Sequence, residues 1–295
     1  MALTGGQPPR GRPPRRRLPV AGPRVRFPPV PPASGGWVGQ NEEMAAADRH
    51  RLIVEQLGLR DRVSVAELAE LAGTSEMTIR RDLELLESRG ALRRVHGGAV
   101  KVALSAVDRP YGLRELTNSD AKDRIGKAAA DSLLNGETVI LDTGSTTAAV
   151  ARAMAGRTLT VTPLSLHSLF PLSLSEGIQL MLPGGWVRPG ELSIVGGVTE
   201  AAFTEFRYDT FIIGCCGIGA EHGATAVDPE DVRVKRAAIK AARRRIVVAT
   251  HDKLGRVTLA RICPTEEIDL VITDDADDAD AVTALREAGV SVLCV

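Results

Sequence analysis

Residues 75–90 read SEMTIRRDLELLESRG and combine a helical period with two adjacent arginines. Ser75 belongs to the residue types preferred at helix N-caps. Ile79, Leu83 and Leu86 recur on one stripe at the spacing of an α-helix. The pattern therefore predicts a helix that buries this stripe. The face that points away carries Met77, Thr78, Arg81 and Glu84, with Arg80 on its flank.

The flanking segments give this helix a context. Residues 65–73, VAELAELAG, predict a short helix that ends at Gly73, a natural C-cap. A short helix, a glycine turn and a longer helix match a helix-turn-helix. After Gly90, LRRVHGGAV predicts a short strand and a glycine hairpin tip, which is the feature that a winged variant adds.

In a helix-turn-helix, residues near the start of the second helix read bases in the major groove. The arginine fork suits guanine edges and phosphates. Exposed arginines often only solvate a helix, and residues 44–101 hold ten basic and nine acidic side chains, so charge content alone does not decide. With a net charge of zero over the chain, we expect a local DNA-binding patch. The candidate residues are Ser75, Met77, Thr78, Arg80, Arg81, Arg93, Arg94, His96, Gly97 and Gly98.

The chain changes character after about Lys122, where short β-branched runs alternate with alanine-rich helical segments. This alternation is typical of an α/β domain with a parallel sheet. We therefore predict a small N-terminal winged helix-turn-helix domain over 44–101, a linker over 102–121 and an α/β domain over 122–295. The predicted strands are TVILD, LTVT, IQLML, DTFIIG, RIVVAT, LVIT and VSVLC.

The first 43 residues differ from the rest, with ten of the seventeen prolines and seven arginines. This composition predicts a disordered tail. The tail is either a basic arm that touches DNA or membrane, or the product of a mis-assigned start with Met44 as the true first residue. The second interpretation is favoured, because folded-looking sequence begins directly after Met44.

Residues 141–154, LDTGSTTAAVARAM, predict a strand, a small-residue turn and a helix start. Backbone N–H groups and hydroxyls at a helix N-terminus can hold an anion, although serine and threonine also cap helices without any ligand. In open α/β sheets, ligands bind outside the carboxyl ends of strands. MLPGG (181–185), GCCGIG (214–219) and HDKLG (251–255) follow other predicted strands. Lys235 lies on the apolar stripe of a helix that starts at Asp228, so it must either reach solvent or meet an anion.

Residues 63–100 closely resemble the winged helix-turn-helix of the DeoR family of bacterial transcriptional regulators, above all in TIRRDL and the terminal HGGA. KDRIGKAAADSLLNGETVILDTGSTT and YDTFIIGCCGI resemble the effector domain of that family, whose fold is ribose-5-phosphate-isomerase-like. The chain differs from the usual family pattern at Thr162–Pro163 and at Thr250–His251–Asp252.

The resemblance implies a repressor of carbohydrate genes in the bacterial cytoplasm, nucleoid-associated when bound to DNA. It would bind double-stranded operator DNA and respond to a phosphorylated sugar held by the GSTT loop. The predicted effector-binding residues are Asp142, Gly144, Ser145, Thr146, Thr147, Thr162, Gly184, Gly185, Gly217, Lys235 and Lys253.

The alternative is a sugar-phosphate isomerase or transferase fused to a DNA-binding module. Such an enzyme needs a carboxylate poised as a base, and Asp142 is a candidate, although an aspartate at a strand end before a glycine turn is more often structural. We therefore expect no catalytic residue and no cofactor. The four cysteines, one adjacent pair and two scattered residues, do not resemble a metal site, and the sequence predicts no membrane span. Since a single winged module is a small DNA interface, we expect a homo-oligomer, either a dimer or a tetramer.

Overall fold

The computed structural model describes residues 44–101, 110–274 and 279–295. The tail predicted for residues 1–43 and the first half of the predicted linker lie outside these ranges. None of the helices within them is long and apolar enough to cross a membrane.

The N-terminal part is a winged helix-turn-helix, as the sequence predicts. Gly73 ends the second helix in the left-handed conformation (φ 61°), and the Ser75 hydroxyl caps the third by accepting a hydrogen bond from the Thr78 N–H. Ile79, Leu83 and Leu86 are buried in the core that the three helices share. The elements are α1 (Ala46–Leu59), β1 (Arg62–Ser64), α2 (Val65–Ala72), α3 (Glu76–Ser88), β2 (Arg93–Val95) and β3 (Gly98–Val100).

The wing is the antiparallel hairpin of β2 and β3, and β1 pairs with its second strand to give the order β1-β3-β2. The sequence does not predict β1, which is only three residues long. This strand covers the outer edge of β3, where Ser64 pairs with Gly98.

The second half of the predicted linker is helical, which the sequence does not predict. That segment forms α4 (Tyr111–Leu116) and the first turn of α5 (Ser119–Asp131), with the left-handed Asn118 (φ 54°) between them. We call Pro110–Lys122 the connector. The winged part, the connector and the sheet belong to one unit, Glu43–Val295.

The C-terminal part is built on one parallel seven-stranded sheet, and each of the seven predicted β-branched runs contributes a strand to it. The strand order is β15-β14-β12-β9-β4-β5-β6. The strands are β4 (Thr138–Leu141), β5 (Leu159–Pro163), β6 (Ile178–Leu180), β9 (Tyr208–Gly214), β12 (Ala242–Val248), β14 (Leu270–Thr273) and β15 (Ser291–Cys294). The predicted α/β class with a parallel sheet is therefore confirmed.

Helices cover both faces of this sheet, so its strands are buried on both sides and read as near-continuous apolar runs. One apolar core joins the sheet to α5, α6 and α7, and the other joins it to α8, α9 and α10. These helices are α6 (Ser145–Ala153), α7 (Leu166–Ser173), α8 (Gly197–Glu205), α9 (Pro229–Ala241) and α10 (Ala279–Glu287).

Two smaller β structures lie beside the main sheet. One is a hairpin of β7 (Trp186–Val187) and β8 (Ile194–Val195), whose Trp186 side chain is largely exposed. The other is a three-stranded sheet of β10 (Gly217–Gly219), β11 (Gly223–Ala226) and β13 (Ala260–Cys263). The sequence predicts neither, because their strands are very short or rich in glycine.

Candidate nucleic-acid interface and strand-end cavity

The exposed face of α3 carries the side chains that the sequence analysis assigns to DNA. Met77, Arg80 and Arg81 are exposed, and Thr78 is half-buried. Arg80 is held by Glu76 one turn earlier, with Nη2 2.6 Å from Oε2. Within the described ranges, Arg81 makes no hydrogen bond or ion pair, so its guanidinium is available to a partner.

The wing places further cations beside this face. Arg93 and Arg94 are both exposed, and Arg94 Nη1 lies 2.9 Å from Glu84 Oε1 on α3. His96 and Gly97 form the exposed tip, where Gly97 has a φ of 78°. Together these residues form a local basic edge on a chain of zero net charge.

Gly98 is a correction to the predicted DNA contacts. It is buried, and a Cβ atom there would lie 2.0 Å from the Val63 carbonyl oxygen. The glycine is therefore required by the close pairing of β3 with β1. It supports the wing and is not part of the exposed tip.

A buried polar cluster beneath α3 fixes the helix on α1. The Asp82 carboxylate accepts hydrogen bonds from Arg49 Nε at 2.8 Å and Nη2 at 3.3 Å, and lies 3.0 Å from His50 Nε2. Asp82 and His50 are only 6% and 7% exposed. A carboxylate in a low-dielectric interior needs such partners, so this cluster sets the position of the arginine-bearing face.

A cavity of about 250 Å³ lies at the carboxyl ends of β4, β9 and β12, three adjacent strands. We call it the strand-end cavity. Of the predicted effector-binding residues, six line it: Gly144, Ser145, Thr146, Thr147, Lys235 and Lys253. This location agrees with the general rule that ligands bind beyond the carboxyl ends of parallel strands.

The start of α6 forms one wall of the strand-end cavity. Gly144 is the N-cap, with a φ of 125° that favours glycine, and the first-turn N–H groups have no partner within the helix. Ser145 and Thr146 are each 4% exposed, and their hydroxyls have no hydrogen-bond partner among the described residues. Thr147 Oγ1 donates to the Gly144 carbonyl at 2.9 Å. Open N–H groups, free hydroxyls and the helix dipole together favour an anion.

The ammonium group of Lys235 pairs with a buried carboxylate of the protein itself. Its Nζ lies 2.6 Å from Asp142 Oδ2 and 2.8 Å from the Gly214 carbonyl oxygen, and Asp142 also accepts from the Gly214 N–H at 2.8 Å. Burial raises the pKa of Asp142, and the Lys235 ammonium opposes this. Burial alone would lower the pKa of Lys235, but the Asp142 and Asp231 carboxylates outweigh it and the net direction is upward. Lys235 thus stays charged, while Asp142 lies behind the cavity wall.

Several cations that the sequence analysis does not predict also line the cavity. Lys122 is buried, and its Nζ donates to the carbonyl oxygens of Arg114 and Thr117. Burial, and then the nearby Lys253 charge, lower the pKa of Lys122 to about 7, against the opposing effect of Asp252. The other cations missed by the sequence analysis are Arg114, Arg188 and Arg256.

Some of these cations are held by carboxylates on the same walls. Arg188 pairs with Asp228 and with Asp231, whose Oδ2 lies 2.8 Å from Arg188 Nη2. Lys253 instead donates to the Cys215 carbonyl oxygen at 3.1 Å. Arg256 makes no ion pair among the described residues. The cations of the cavity therefore differ in their partners, which are carboxylates for Arg188 and a carbonyl oxygen for Lys253.

Four other predicted effector-binding residues do not line the strand-end cavity, and their role in binding stays a prediction. Thr162 is fully buried, with Oγ1 3.2 Å from the Tyr208 hydroxyl. Gly184 and Gly185 pack against α8, where a Cβ on Gly185 would lie 2.1 Å from Thr199 Oγ1. Gly217 packs in the same way against the backbone of Arg256. These glycines allow close chain approach and do not line the cavity.

Of the residues that differ from the pattern of the resembled family, two contribute to the cavity wall. Thr250 and Asp252 line it, and the Thr250 hydroxyl donates to Asp252 Oδ1 at 2.6 Å. His251 turns away, and its Nδ1 lies 2.7 Å from Asp274 Oδ2. Within the three described ranges, no group of three or more His, Cys, Asp or Glu side chains could hold a metal ion.

The fold and the two sites define a winged helix-turn-helix protein with an α/β sensor domain. The profile of the DeoR-like helix-turn-helix domain matches residues 49–103, and that of the DeoR C-terminal sensor domain matches residues 117–275. The HTH-type transcriptional regulator GlpR of Haloferax volcanii is 34% identical over 251 residues, which cover 85% of this chain and 98% of that protein. The chain belongs to the DeoR family of transcriptional regulators.

Other relatives agree with this membership. The glycerol-3-phosphate regulon repressor of Escherichia coli K12 is 33% identical over 232 residues, which cover 78% of this chain and 92% of the repressor. The HTH-type transcriptional repressor GlcR of Bacillus subtilis is 32% identical, with 85% and 96% covered. Among solved structures, ribose-5-phosphate isomerase A of Methanocaldococcus jannaschii aligns with a TM-score of 0.35 at 18% identity, covering 48% of this chain and 56% of the enzyme.

Proposed function

We propose that this DeoR-family regulator is a repressor that binds double-stranded operator DNA through α3 and the wing. A small phosphorylated sugar or related metabolite occupies the strand-end cavity and changes the affinity for DNA. The Escherichia coli and Bacillus subtilis relatives are named as repressors, which supports repression over activation. By linkage, any ligand that prefers one arrangement of the protein shifts the population that is competent for DNA.

The start of α6 is the observation that carries the proposal. Two buried hydroxyls and the open N–H groups of a helix N-terminus face a cavity that also holds Lys122, Lys253 and Arg256. A phosphate monoester satisfies these donors together, since it offers up to three acceptor oxygens and negative charge. The carboxylates on the walls can accept hydrogen bonds from sugar hydroxyls.

The size of the cavity favours a small metabolite. Its volume of about 250 Å³ lies just below the range of roughly 300–1,000 Å³ that is usual for ligand pockets. A monosaccharide monophosphate or a phosphorylated triol is therefore a better match than a dinucleotide.

Sensing, without turnover, is the role that we propose for the cavity. Asp142, the candidate catalytic base, is 1% exposed, is engaged by Lys235 and does not line the cavity. We further propose that the protein acts as a homo-oligomer in the cytoplasm, because one winged module is a small interface and operators usually contain two half-sites.

The test measures the thermal stability of the pure protein against a panel of phosphorylated metabolites. The panel includes glycerol 3-phosphate, fructose 6-phosphate and glucose 6-phosphate, each beside its unphosphorylated parent. A ligand at 100 times its Kd stabilises the folded state by about 2.7 kcal/mol, which gives a clear shift in Tm. The same ligand should alter affinity for a DNA fragment selected from a randomised pool.

Ser145→Ala should abolish both effects and leave DNA binding without ligand intact. Ser173→Ala is the matched control, because Ser173 is exposed on α7 and outside the cavity. Stabilisation by the unphosphorylated parents alone, or steady turnover of any phosphorylated compound, would contradict the proposal.

A further inference from the structure

The connector supplies one wall of the strand-end cavity, and this deepens the function proposed above, on which it rests. Arg114, Thr117, Asn118 and Lys122 line the same cavity as the start of α6. The chain that joins the winged part to the sheet therefore faces the space where the anion is expected.

Arg114 is held in this wall by an ion pair. Its Nη2 contacts the Glu191 carboxylate, which lies in the turn between β7 and β8 and also lines the cavity. The two side chains are 23% and 25% exposed, so the pair is accessible from the cavity. A phosphate oxygen that reached the guanidinium would compete directly with Glu191, because arginine binds both oxyanions through the same planar fork.

The other side of the same helix supports the DNA-binding part. Gly112 packs against Arg89, the residue that ends α3, and a Cβ atom at 112 would lie 2.8 Å from Arg89 Cβ and 3.0 Å from its carbonyl oxygen. Leu113 and Leu116 pack against the apolar core of the winged part. A shift of α4 at the cavity must therefore change the packing of α4 against α3.

We propose that Arg114 is an effector-binding residue that exchanges Glu191 for the anion of the ligand, and that α4 transmits this exchange to α3. Without ligand, the ion pair keeps α4 against the β7–β8 turn. With ligand, Arg114 turns to the anion, Glu191 is released by like-charge repulsion, and α4 takes a second position against Arg89. The coupling free energy between the two sites equals the difference in the binding free energy of the ligand for these two positions of α4.

Calorimetric titration of the full-length protein with inorganic phosphate tests the exchange. Arg114→Gln should weaken phosphate binding by about tenfold or more, since a hydrogen bond to a charged group is lost. Glu191→Gln should strengthen it severalfold, because the competing carboxylate is gone. Arg245→Gln is the matched control, since Arg245 is 25% exposed, forms an ion pair with Asp269 and does not line the cavity.

Anisotropy with the selected DNA fragment tests the transmission. Gly112→Ala displaces α4 from Arg89, so this variant should still bind phosphate but lose the effect of phosphate on DNA affinity. A full effect of phosphate on DNA affinity in this variant would overturn the transmission. An unchanged phosphate affinity in Arg114→Gln would overturn the exchange. A weakened phosphate affinity in Glu191→Gln would overturn it as well, because the ion pair would then only stabilise the cavity wall.

These results separate the two proposals. If Ser145→Ala loses phosphate while Arg114→Gln keeps it, the sensing function stands and the role of Arg114 falls. If the parent protein binds neither inorganic phosphate nor any phosphorylated member of the panel, and its DNA affinity does not respond, both proposals are overturned.

Discussion

The buried Asp82 cluster gives the sharpest stability prediction. Asp82→Ala removes the acceptor of two Arg49 hydrogen bonds and one His50 contact, at side chains that are only 9–12% exposed. Removing one partner of a buried ion pair costs about 3–5 kcal/mol, because the buried Arg49 charge loses its counter-ion. We expect a loss of this size in the free energy of local opening of α3, and a matching loss of DNA affinity if opening becomes the dominant state.

The assay is hydrogen exchange of the α3 amides in the full-length protein, which reports local opening free energies. Replacing all three members by apolar residues, as Arg49→Met, His50→Leu and Asp82→Leu, is the informative comparison. Such replacements are often neutral or stabilising by about 1–4 kcal/mol. If Asp82→Ala changed exchange by less than about 1 kcal/mol, the claim that this cluster positions α3 would be refuted.

Three other predictions concern DNA binding, pH and the wing. If Arg81 reads a base, Arg81→Ala should weaken binding to the selected DNA by about 1–3 kcal/mol. If Arg81 contacts only phosphate, the same substitution should lower the salt slope of binding by about one. Arg124→Ala on the sheet domain is the control and should do neither. Affinity for a sulfate ester, whose charge is fixed, should fall as pH rises through about 7, because Lys122 then loses its proton, and Lys122→Gln should flatten this profile. Since this folded-state pKa lies below the ordinary 10.5, the unfolded chain binds the extra proton between these values, and the contribution of Lys122 to the free energy of unfolding should increase with pH across that window. Gly98→Ala should destabilise the wing by about 1–3 kcal/mol by forcing a Cβ against the Val63 carbonyl, measured by exchange of the β3 amides.

The main sheet and the helix-turn-helix were predictable because both have strong local signals. The seven strands are β-branched runs bounded by helical segments. The N-cap residue Ser75 and the apolar stripe of Ile79, Leu83 and Leu86 predict α3. Asp82 was missed although it lies three residues after Ile79, because a carboxylate on the edge of an apolar stripe is usually solvated.

The cavity was only half predictable, because its walls depend on strand order. A glycine after a strand end is a candidate at any of seven strands, but only β4, β9 and β12 border the cavity. Gly184 follows β6 at the edge of the sheet, two strands from β4, and the sequence does not reveal that distance. Lys122 and Arg114 reach the cavity from the connector, so no local pattern could place them there.

The exposed Trp186 gives the protein an intrinsic optical reporter. The chain has two tryptophans, Trp37 and Trp186, so Trp37→Phe leaves a single fluorophore. That fluorophore is 79% exposed on β7, and the turn that follows β7 carries Arg188 and Glu191. Its emission should therefore respond to the proposed release of Glu191 on unlabelled protein, and stopped-flow mixing would give the rate of that step separately from the affinity.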